Sequence, residues 1–226
     1  MNPQPLRIIL FGATGMIGSG VLKSALQDPG VEAMLAVSRS ASGVQHPKLT
    51  ELLHPDFFDY SAIQGPLAGY NATLFCLGVS SVGLSEADYS RVTYDLTVAA
   101  ALAVLKANPG SAFAYVSGQG TDSSEKGRAM WARVKGRLEN QLLSMPFKPA
   151  IMFRPGGIQP MDGVVSKTKL YRALYAVMRP FTPFLVRRFP AFMTTSERLG
   201  RAMLRGVRGE AGLSIVESAD INRLGA

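Results

Sequence analysis

Three glycines spaced three residues apart form the clearest chemical feature of the chain. Gly12, Gly15 and Gly18 directly follow the apolar run 6–11, and a helical pattern starts at Met16. A tight glycine turn between a strand and a helix lets a pyrophosphate approach the backbone and the N–H groups at the helix N-terminus. The segment therefore predicts a dinucleotide-binding turn. Its predicted cofactor contacts are Gly12, Thr14, Gly15, Met16, Ile17 and Gly18.

The end of the second strand-like run indicates which dinucleotide is bound. It reads Ser38-Arg39-Ser40, at the place where a protein that selects NAD usually carries an acid against the ribose hydroxyls. A cation between two hydroxyls suits charge-assisted hydrogen bonds to a 2′-phosphate. The motif predicts NADP (NADPH) as the cofactor, and the alternative is an ordinary exposed arginine after a strand.

Three residues farther along the chain are candidates for the reaction itself. Ser117 ends a strand-like run, and Trp131 and Lys135 lie four residues apart in a helical pattern, so they share one helix face. Ser117 suits a hydrogen bond to substrate or nicotinamide, or the capping of a turn through Gly118. An indole N–H donates a hydrogen bond but does not ionise usefully, so Trp131 is excluded as a general acid or base. Lys135 places a cation on that helix face, and the alternative is an ordinary solvated surface lysine.

The surrounding elements alternate between strands and helices. Strand-like runs at 6–11, 33–38, 49–53, 72–77, 112–117 and 150–153 alternate with helical patterns at 17–27, 86–107 and 128–144. This order predicts an α/β fold with a doubly wound parallel sheet, a Rossmann fold, in a single domain over residues 1–226. Ligands bind at the carboxyl ends of such strands. The strand ends add Asp56, Phe57, Cys76, Leu77, Gly78, Pro155, Gly156, Gly157 and Ile158 as cofactor candidates.

Together these residues resemble a known family. The glycine turn, Leu77-Gly78, Ser117 and Lys135 are similar to a short-chain dehydrogenase/reductase of the atypical or extended, epimerase/dehydratase-like kind, over about residues 6–160. Pro155-Gly156 resembles the loop that closes over the nicotinamide in extended members. Lys-Gly followed by Glu, over 135–139, is similar to the small Tat-interacting-protein-like NADP-binding proteins.

The resemblance implies a mechanism whose central residue is replaced here. In the family, a tyrosine four residues before the lysine transfers the proton, the lysine holds the nicotinamide ribose, and the serine binds the substrate oxygen. Trp131 occupies the tyrosine position, whereas Lys135 and Ser117 are retained. Tyr115 shares a sheet face with Ser117 and is either a replacement acid or a packing residue. We expect an NADP-dependent oxidoreductase; the alternative is a non-catalytic NADP(H)-binding sensor or protein-interaction module.

The net charge of +8 is concentrated near the C-terminus. The segment from Val165 to Arg205 contains nine Lys or Arg residues and one acid, Glu197. This segment predicts a small basic cap, residues 159–205, over the substrate side or an oligomer contact, with a membrane surface as the alternative. No nucleic-acid motif accompanies the charge, so nucleic acid is not an expected partner. We expect a small-molecule substrate, not identified by the sequence, and a monomer or homodimer.

Cysteine and histidine usage bears on compartment and metal. Cys76 is the only cysteine, which excludes an internal disulfide, and the first residues do not resemble a secretory signal. The chain is therefore expected to be cytoplasmic. His46 and His54 have no partner at a metal-ligand spacing, so no metal is predicted. No uninterrupted apolar stretch is long enough to predict a membrane-spanning helix.

Overall fold

A seven-stranded parallel sheet forms the centre of the protein. The computed structural model describes residues 4–159 and 188–226. A two-stranded parallel sheet lies beside the main one, which has the order β3-β2-β1-β4-β5-β6-β9. The strands are β1 (Leu6–Phe11), β2 (Val31–Ser38), β3 (Leu49–Leu53), β4 (Ala72–Phe75), β5 (Ala112–Val116), β6 (Ala150–Arg154), β7 (Gly157–Gln159), β8 (Met193–Thr195) and β9 (Ile215–Glu217). The order reverses between β1 and β4, which confirms the predicted doubly wound fold.

Helices cover both faces of the main sheet. The fourth continues from the third through a π turn at Arg91–Asp95, and a 3₁₀ turn at Ser61–Ile63 precedes the second. The helices are α1 (Met16–Gln27), α2 (Gln64–Leu67), α3 (Glu86–Ser90), α4 (Leu96–Ala107), α5 (Met130–Ser144), α6 (Ser196–Val207) and α7 (Ser218–Leu224). One core contains residues of α1 and α6, and the other contains residues of α4 and α5.

Burial on both faces of the sheet explains why the sequence of strand β1 is continuously apolar. Ile8 and Leu10 belong to the core on the α1 side, whereas Ile9 and Phe11 belong to the core on the α4 side. Successive side chains of a strand point to opposite faces, and both faces of this sheet are covered. All four side chains are therefore fully buried, and the strand has the bounds that the apolar run predicts.

The C-terminal part of the predicted cap belongs to the body of the fold. Helix α6 packs along α1, where Ser24 Oγ donates to the Glu197 carbonyl oxygen at 3.2 Å. Leu199 and Met203 of α6 are fully buried in the core on that side. The assignment of residues 196–205 to a cap is therefore corrected: their charges lie on one face of a core helix. Residues 160–187 of the predicted cap lie outside the described residues.

Two further properties concern membranes and metals. Among residues 4–159 and 188–226, no helix combines the length and the apolar character needed to cross a membrane. The same residues contain no group of three His, Cys, Asp or Glu side chains arranged to hold a metal ion.

Candidate functional site

The glycine turn packs β1, α1 and the end of β4 closely together. Gly12 has a φ of +87°, and a Cβ placed on it would lie 2.9 Å from the carbonyl carbon of Cys76. A Cβ on Gly18 would overlap the carbonyl oxygen of Gly12. Thr14 and Gly15 are exposed at the tip, and Met16 and Ile17 open the helix. The turn therefore leaves the N-terminus of α1 accessible to an anionic group.

A cavity of about 490 Å³ gathers several predicted cofactor residues from three strand ends. Arg39 follows β2 and contributes an exposed cation, while Asp56 contributes a carboxylate that accepts from the Phe58 backbone N–H at 2.9 Å. The remaining wall is mostly apolar, which suits a flat ring. We call it the Arg39 cavity; its lining includes Arg39, Asp56, Phe57, Leu77, Gly78, Val92 and Leu96.

The two serines beside Arg39 have different surroundings. Ser38 is buried, and its hydroxyl donates to the Ser40 carbonyl oxygen at 2.7 Å. Its proton is therefore used in a hydrogen bond within the loop. Ser40 lines a second cavity, together with Thr14 of the glycine turn. Neither Ser38 nor Ser40 lines the Arg39 cavity, so Arg39 is the one residue of the Ser38-Arg39-Ser40 motif that contributes to it.

Lys135 lies over Tyr115 of the neighbouring strand. The Lys135 Nζ is 3.4 Å from the phenol oxygen of Tyr115 and 5.3 Å from the centre of its ring. Burial lowers the pKa of Lys135 from 10.5 to about 8, although the negative charge of Glu139 opposes this shift. Burial also raises the pKa of Tyr115 well above its ordinary value. At neutral pH Tyr115 is thus a neutral phenol beneath a cationic Lys135.

A buried ion pair lies one helical turn beyond Lys135. Glu139 is fully buried, and Arg154 Nε donates to both of its carboxylate oxygens at 3.1 Å. Arg154 also donates to Ser123 Oγ at 2.6 Å and to Glu217 at 3.3 Å. The pKa of Arg154 is raised mainly by its hydrogen bonds to Glu139. The pair therefore joins α5, the end of β6 and β9 beside Lys135.

Ser117 is held by the turn that follows β5. Its hydroxyl is 3.0 Å from Thr121 Oγ1, and the Thr121 hydroxyl donates to the Gly118 carbonyl oxygen at 2.8 Å. Because the single Thr121 proton is used there, Ser117 donates to Thr121 and keeps its lone pairs as acceptors. In this arrangement Ser117 can accept a hydrogen bond from a ligand or a water, whereas donation to a substrate oxygen would require its hydroxyl to rotate.

Trp131 lies against the same turn. A Cβ built on Gly120 would be 3.4 Å from the far edge of the Trp131 ring, so the indole packs on the backbone after β5. Trp131 is half-buried. The structure thus places Ser117, Trp131 and Lys135 around one turn and one helix.

The loops after β5 and β6 contact the backbone of residues 191 and 192. Gly157 N donates to the Phe192 carbonyl oxygen at 2.7 Å, and a Cβ on Gly156 would overlap that oxygen. Gln119 Nε2 donates to the Ala191 carbonyl oxygen at 2.9 Å. Residues 156 and 157, which belong to the loop predicted to contact the nicotinamide, therefore lie against the backbone of Phe192.

Sequence reasoning did not single out several residues that define this region. Arg154 and Thr121 belong to none of the motifs above, and Glu139 appears there only in the Lys-Gly motif over 135–139. A glutamate beside Leu138 and Leu142, on the apolar side of α5, is a signal for a buried charge that needs a partner. Val92 and Leu96, which line the Arg39 cavity, had no such signal.

Comparison with known proteins gives distant relatives. No protein-family model matches the sequence. The protein named FMP52, mitochondrial, of Chaetomium globosum is 28% identical over 153 residues, covering 65% of this chain and 64% of the relative. The corresponding protein of Meyerozyma guilliermondii is 27% identical over 157 residues, covering 67% and 64%. The matches thus span less than two thirds of the length of these relatives.

These relatives correct one prediction. The proteins from Chaetomium globosum and Meyerozyma guilliermondii, like those from Aspergillus terreus and Candida albicans, are all named as mitochondrial. The prediction of a cytoplasmic protein is therefore wrong by comparison with its relatives. It rested on cysteine usage and the first residues, which do not distinguish the cytoplasm from other reducing compartments.

Two solved structures that contain a nicotinamide cofactor have this fold. The Bordetella bronchiseptica enzyme WbmF in complex with NAD⁺ has a TM-score of 0.67 and 12% identity, and the match covers 99% of this chain and 78% of that one. A short-chain dehydrogenase from Burkholderia cenocepacia in complex with NADP has a TM-score of 0.66 and 16% identity, with 96% and 89% covered. The resemblance predicted from the sequence is confirmed at the level of the fold: the chain shares the Rossmann fold of these NAD⁺- and NADP-bound structures.

Proposed function

We propose that the chain binds NADP(H) along the carboxyl ends of β1, β2 and β4 and acts as an oxidoreductase on a small carbonyl or alcohol substrate. The observation that carries the proposal is the Arg39 cavity, which places a cation, apolar walls and the predicted strand-end residues together. The glycine turn supplies the pyrophosphate site, and the solved structures that share the fold hold NAD⁺ or NADP.

The preference for NADP over NAD is part of this proposal. Arg39 is exposed at the end of β2, where its guanidinium is free to pair with a 2′-phosphate. Ser38 is committed to its own loop, so Arg39 carries the selectivity. One charge-assisted hydrogen bond contributes about 1.5–3 kcal/mol, which corresponds to roughly ten- to hundredfold in affinity.

The reacting end uses Lys135 and Ser117. When bound, NADPH supplies a hydride to a substrate carbonyl. Lys135 donates hydrogen bonds to the nicotinamide ribose. Its ammonium is positioned by the hydrogen bond to the Tyr115 phenol and by the Tyr115 ring. Since Trp131 does not ionise, a water that donates one hydrogen bond to a Ser117 lone pair gives its other proton to the developing alkoxide, and the hydroxide left behind takes a proton from solvent.

A second candidate is a non-catalytic NADP(H)-binding sensor. Two observations favour it: Trp131 occupies the position of the ionisable residue of the family, and the Phe192 backbone contacts Gly156 and Gly157 of the loop after β6. A sensor requires cofactor binding but no substrate pocket. The two candidates therefore differ in turnover and agree in cofactor affinity.

Titration calorimetry with NADPH and NADH tests the cofactor proposal. We expect NADPH to bind about tenfold more tightly or better, and Arg39→Ala to abolish the difference. Arg223→Ala, an exposed arginine on α7, is the matched control and should change neither affinity. Equal affinities in the unmodified protein would contradict the assignment of Arg39. A screen of carbonyl compounds with NADPH then separates the oxidoreductase from the sensor.

A further inference from the structure

A second cavity, of about 670 Å³, lies between α1, the segment 40–46 that joins β2 to β3, and the start of α6. We call it the α1 cavity. Within the part of the chain that the structure describes, it shares no lining residue with the Arg39 cavity, and it meets the glycine turn at Thr14. Its volume lies within the range of about 300–1,000 Å³ that is typical of small-molecule sites. Thr14 and Ser40, both predicted cofactor contacts, lie in its lining, and the proposed cofactor site uses none of its other described residues.

The walls of the α1 cavity are largely apolar. Leu22 and Leu26 are four residues apart on α1 and present one helix face to it. Ala41 and Val44 form the opposite wall, and both are exposed, Val44 at 41%. Leu22 and Leu26 are already almost fully buried, at 2% and 8% exposed, so an apolar ligand would remove surface from water mainly at Ala41 and Val44, which contributes about 25 cal/mol per Å².

The loop that forms the outer wall is held in place by hydrogen bonds. Ser38 Oγ donates to the Ser40 carbonyl oxygen, and Ser42 N donates to a Glu51 carboxylate oxygen at 2.6 Å. At the far end, Leu49 N donates to the His46 carbonyl oxygen at 2.9 Å. The wall is thus built by β2 and β3 before any ligand arrives, which reduces the entropic cost of binding.

The polar groups of the cavity favour an uncharged ligand. His46 Nδ1 accepts from the Lys48 backbone N–H at 3.2 Å, so the neutral ring carries its proton on Nε2 and can donate to a ligand. The Lys23 ammonium and the Glu197 carboxylate, 3.2 Å apart, compensate each other at the α6 end. The lining residues within 4–159 and 188–226 therefore offer one ring donor and nearby hydroxyls, and their two charges compensate each other.

We propose that the α1 cavity is a second binding site, for a small uncharged molecule with an aromatic or short hydrocarbon body and one carbonyl or hydroxyl group. The apolar faces of α1 and of the 40–46 loop hold the body, and His46 with the serine hydroxyls holds the polar group. The site does not depend on the identity of the cofactor or on turnover.

Fluorescence titration with prodan, a neutral naphthalene that carries one carbonyl, tests the site; 4-phenylphenol serves as a competing ligand. We expect saturable binding with a Kd below about 1 mM, competition by 4-phenylphenol, and a loss of about tenfold or more in Val44→Trp, whose indole fills the cavity mouth. Val82→Trp is the matched control because Val82 is 87% exposed and lines neither cavity, and it should leave the Kd unchanged.

Three results would overturn the proposal: no saturable binding of either compound, equal affinity in Val44→Trp and the unmodified protein, or displacement of prodan by 2′,5′-ADP. The last result would assign the cavity to the cofactor phosphate. NADPH affinity, measured by calorimetry on the same variants, keeps the two proposals separable, because Val44→Trp leaves Arg39 and the glycine turn unchanged. Circular dichroism confirms that each variant is folded.

Discussion

The Lys135 ammonium lies 3.4 Å from the phenol oxygen of Tyr115, so a lysine on α5 and a tyrosine on β5 form a pair, while Trp131 occupies the helix position four residues before the lysine. Tyr115 is 1% exposed, and burial keeps its pKa above the ordinary value. A phenol in that position can accept a hydrogen bond from Lys135 but cannot reach a substrate. The relationship makes Tyr115 a support for Lys135, and packing explains its place on the strand.

The first prediction is that Lys135 is unusually reactive towards amine reagents near neutral pH. With a pKa of about 8, roughly a quarter of Lys135 is unprotonated at pH 7.5, compared with roughly 0.1% at a pKa of 10.5. Brief acetylation at a series of pH values, followed by peptide mass spectrometry, should give half-maximal labelling of Lys135 near pH 8. The exposed Lys126 is the comparison.

The same labelling tests the cofactor site. Saturating NADPH should protect Lys135 by occupying its hydrogen bonds, and it should leave the labelling of Lys126 unchanged. Labelling of Lys135 that rises only above pH 10 would contradict the lowered pKa. Reactivity near pH 8 without protection by NADPH would instead remove Lys135 from the cofactor site.

A second prediction concerns stability against pH. In the folded chain the pKa of Lys135 is about 8, and in the unfolded chain it returns to 10.5, so between these values the unfolded state binds more protons. Stability contributed by this group therefore rises as pH increases from about 8 to about 10.5. Lys135→Met removes the cost of burying the charge, so the variant should gain on the order of 1–3 kcal/mol at pH 7.

Urea unfolding of the unmodified protein and of Lys135→Met at pH 7 and pH 10.5 measures this effect. The advantage of the variant should shrink markedly at the higher pH, and Lys126→Met should show no such change. A constant difference between the two proteins at both pH values would mean that Lys135 does not titrate in this range.

The sequence predicted the parts of the fold whose local pattern and packing agree. Strand β1 is buried on both faces, so its apolar run marked its bounds, and the glycine turn marked the start of α1. Strand β9 was missed because it has three residues, of which only Val216 is buried. Helix α6 was interpreted as part of a cap because its charges dominate its composition, although Leu199 and its neighbours form a core face.

The candidate site was predictable only where a motif is continuous in sequence. The ion pair of Glu139 and Arg154 joins two elements, and neither residue indicates the other without the sheet order. The hydrogen bond between Ser117 and Thr121 determines whether the Ser117 hydroxyl can donate to a ligand or only accept from it. That bond depends on the turn after β5. Such relations arise from packing, so spacing along the chain does not reveal them.

The third prediction is that Arg154→Met destabilises the fold strongly. It leaves the fully buried Glu139 carboxylate without its main partner, which typically costs about 3–5 kcal/mol. Arg223→Met breaks the exposed pair with Asp220 and should cost less than about 1 kcal/mol. Urea unfolding at pH 7 compares them. In the double variant Arg154→Met with Glu139→Gln, removal of the unpaired charge should recover part of the loss.

The fourth prediction tests the glycine turn. A Cβ at Gly18 would overlap the Gly12 carbonyl oxygen, so Gly18→Ala must displace the turn that would hold the pyrophosphate. We expect Gly18→Ala to weaken NADPH binding by about tenfold or more and to lower the melting temperature. Gly65→Ala is the control because a Cβ there meets no atom within 4 Å. Unchanged NADPH affinity in a folded Gly18→Ala would show that the cofactor binds elsewhere.

The last prediction concerns Trp131. Removing a true general acid typically lowers turnover by about 10²–10⁴-fold. Because an indole does not ionise and Trp131 packs against Gly120, Trp131→Phe should retain turnover of any NADPH-dependent substrate within a few fold. Trp131→Tyr places a phenol four residues before Lys135, on the same helix face, and should raise turnover if a carbonyl reaches that position. Steady-state rates with NADPH, alongside calorimetric affinities, measure both variants. A hundredfold loss in Trp131→Phe, with folding and NADPH affinity intact, would show that the indole takes part in the chemistry and that the water held by Ser117 is not the proton source.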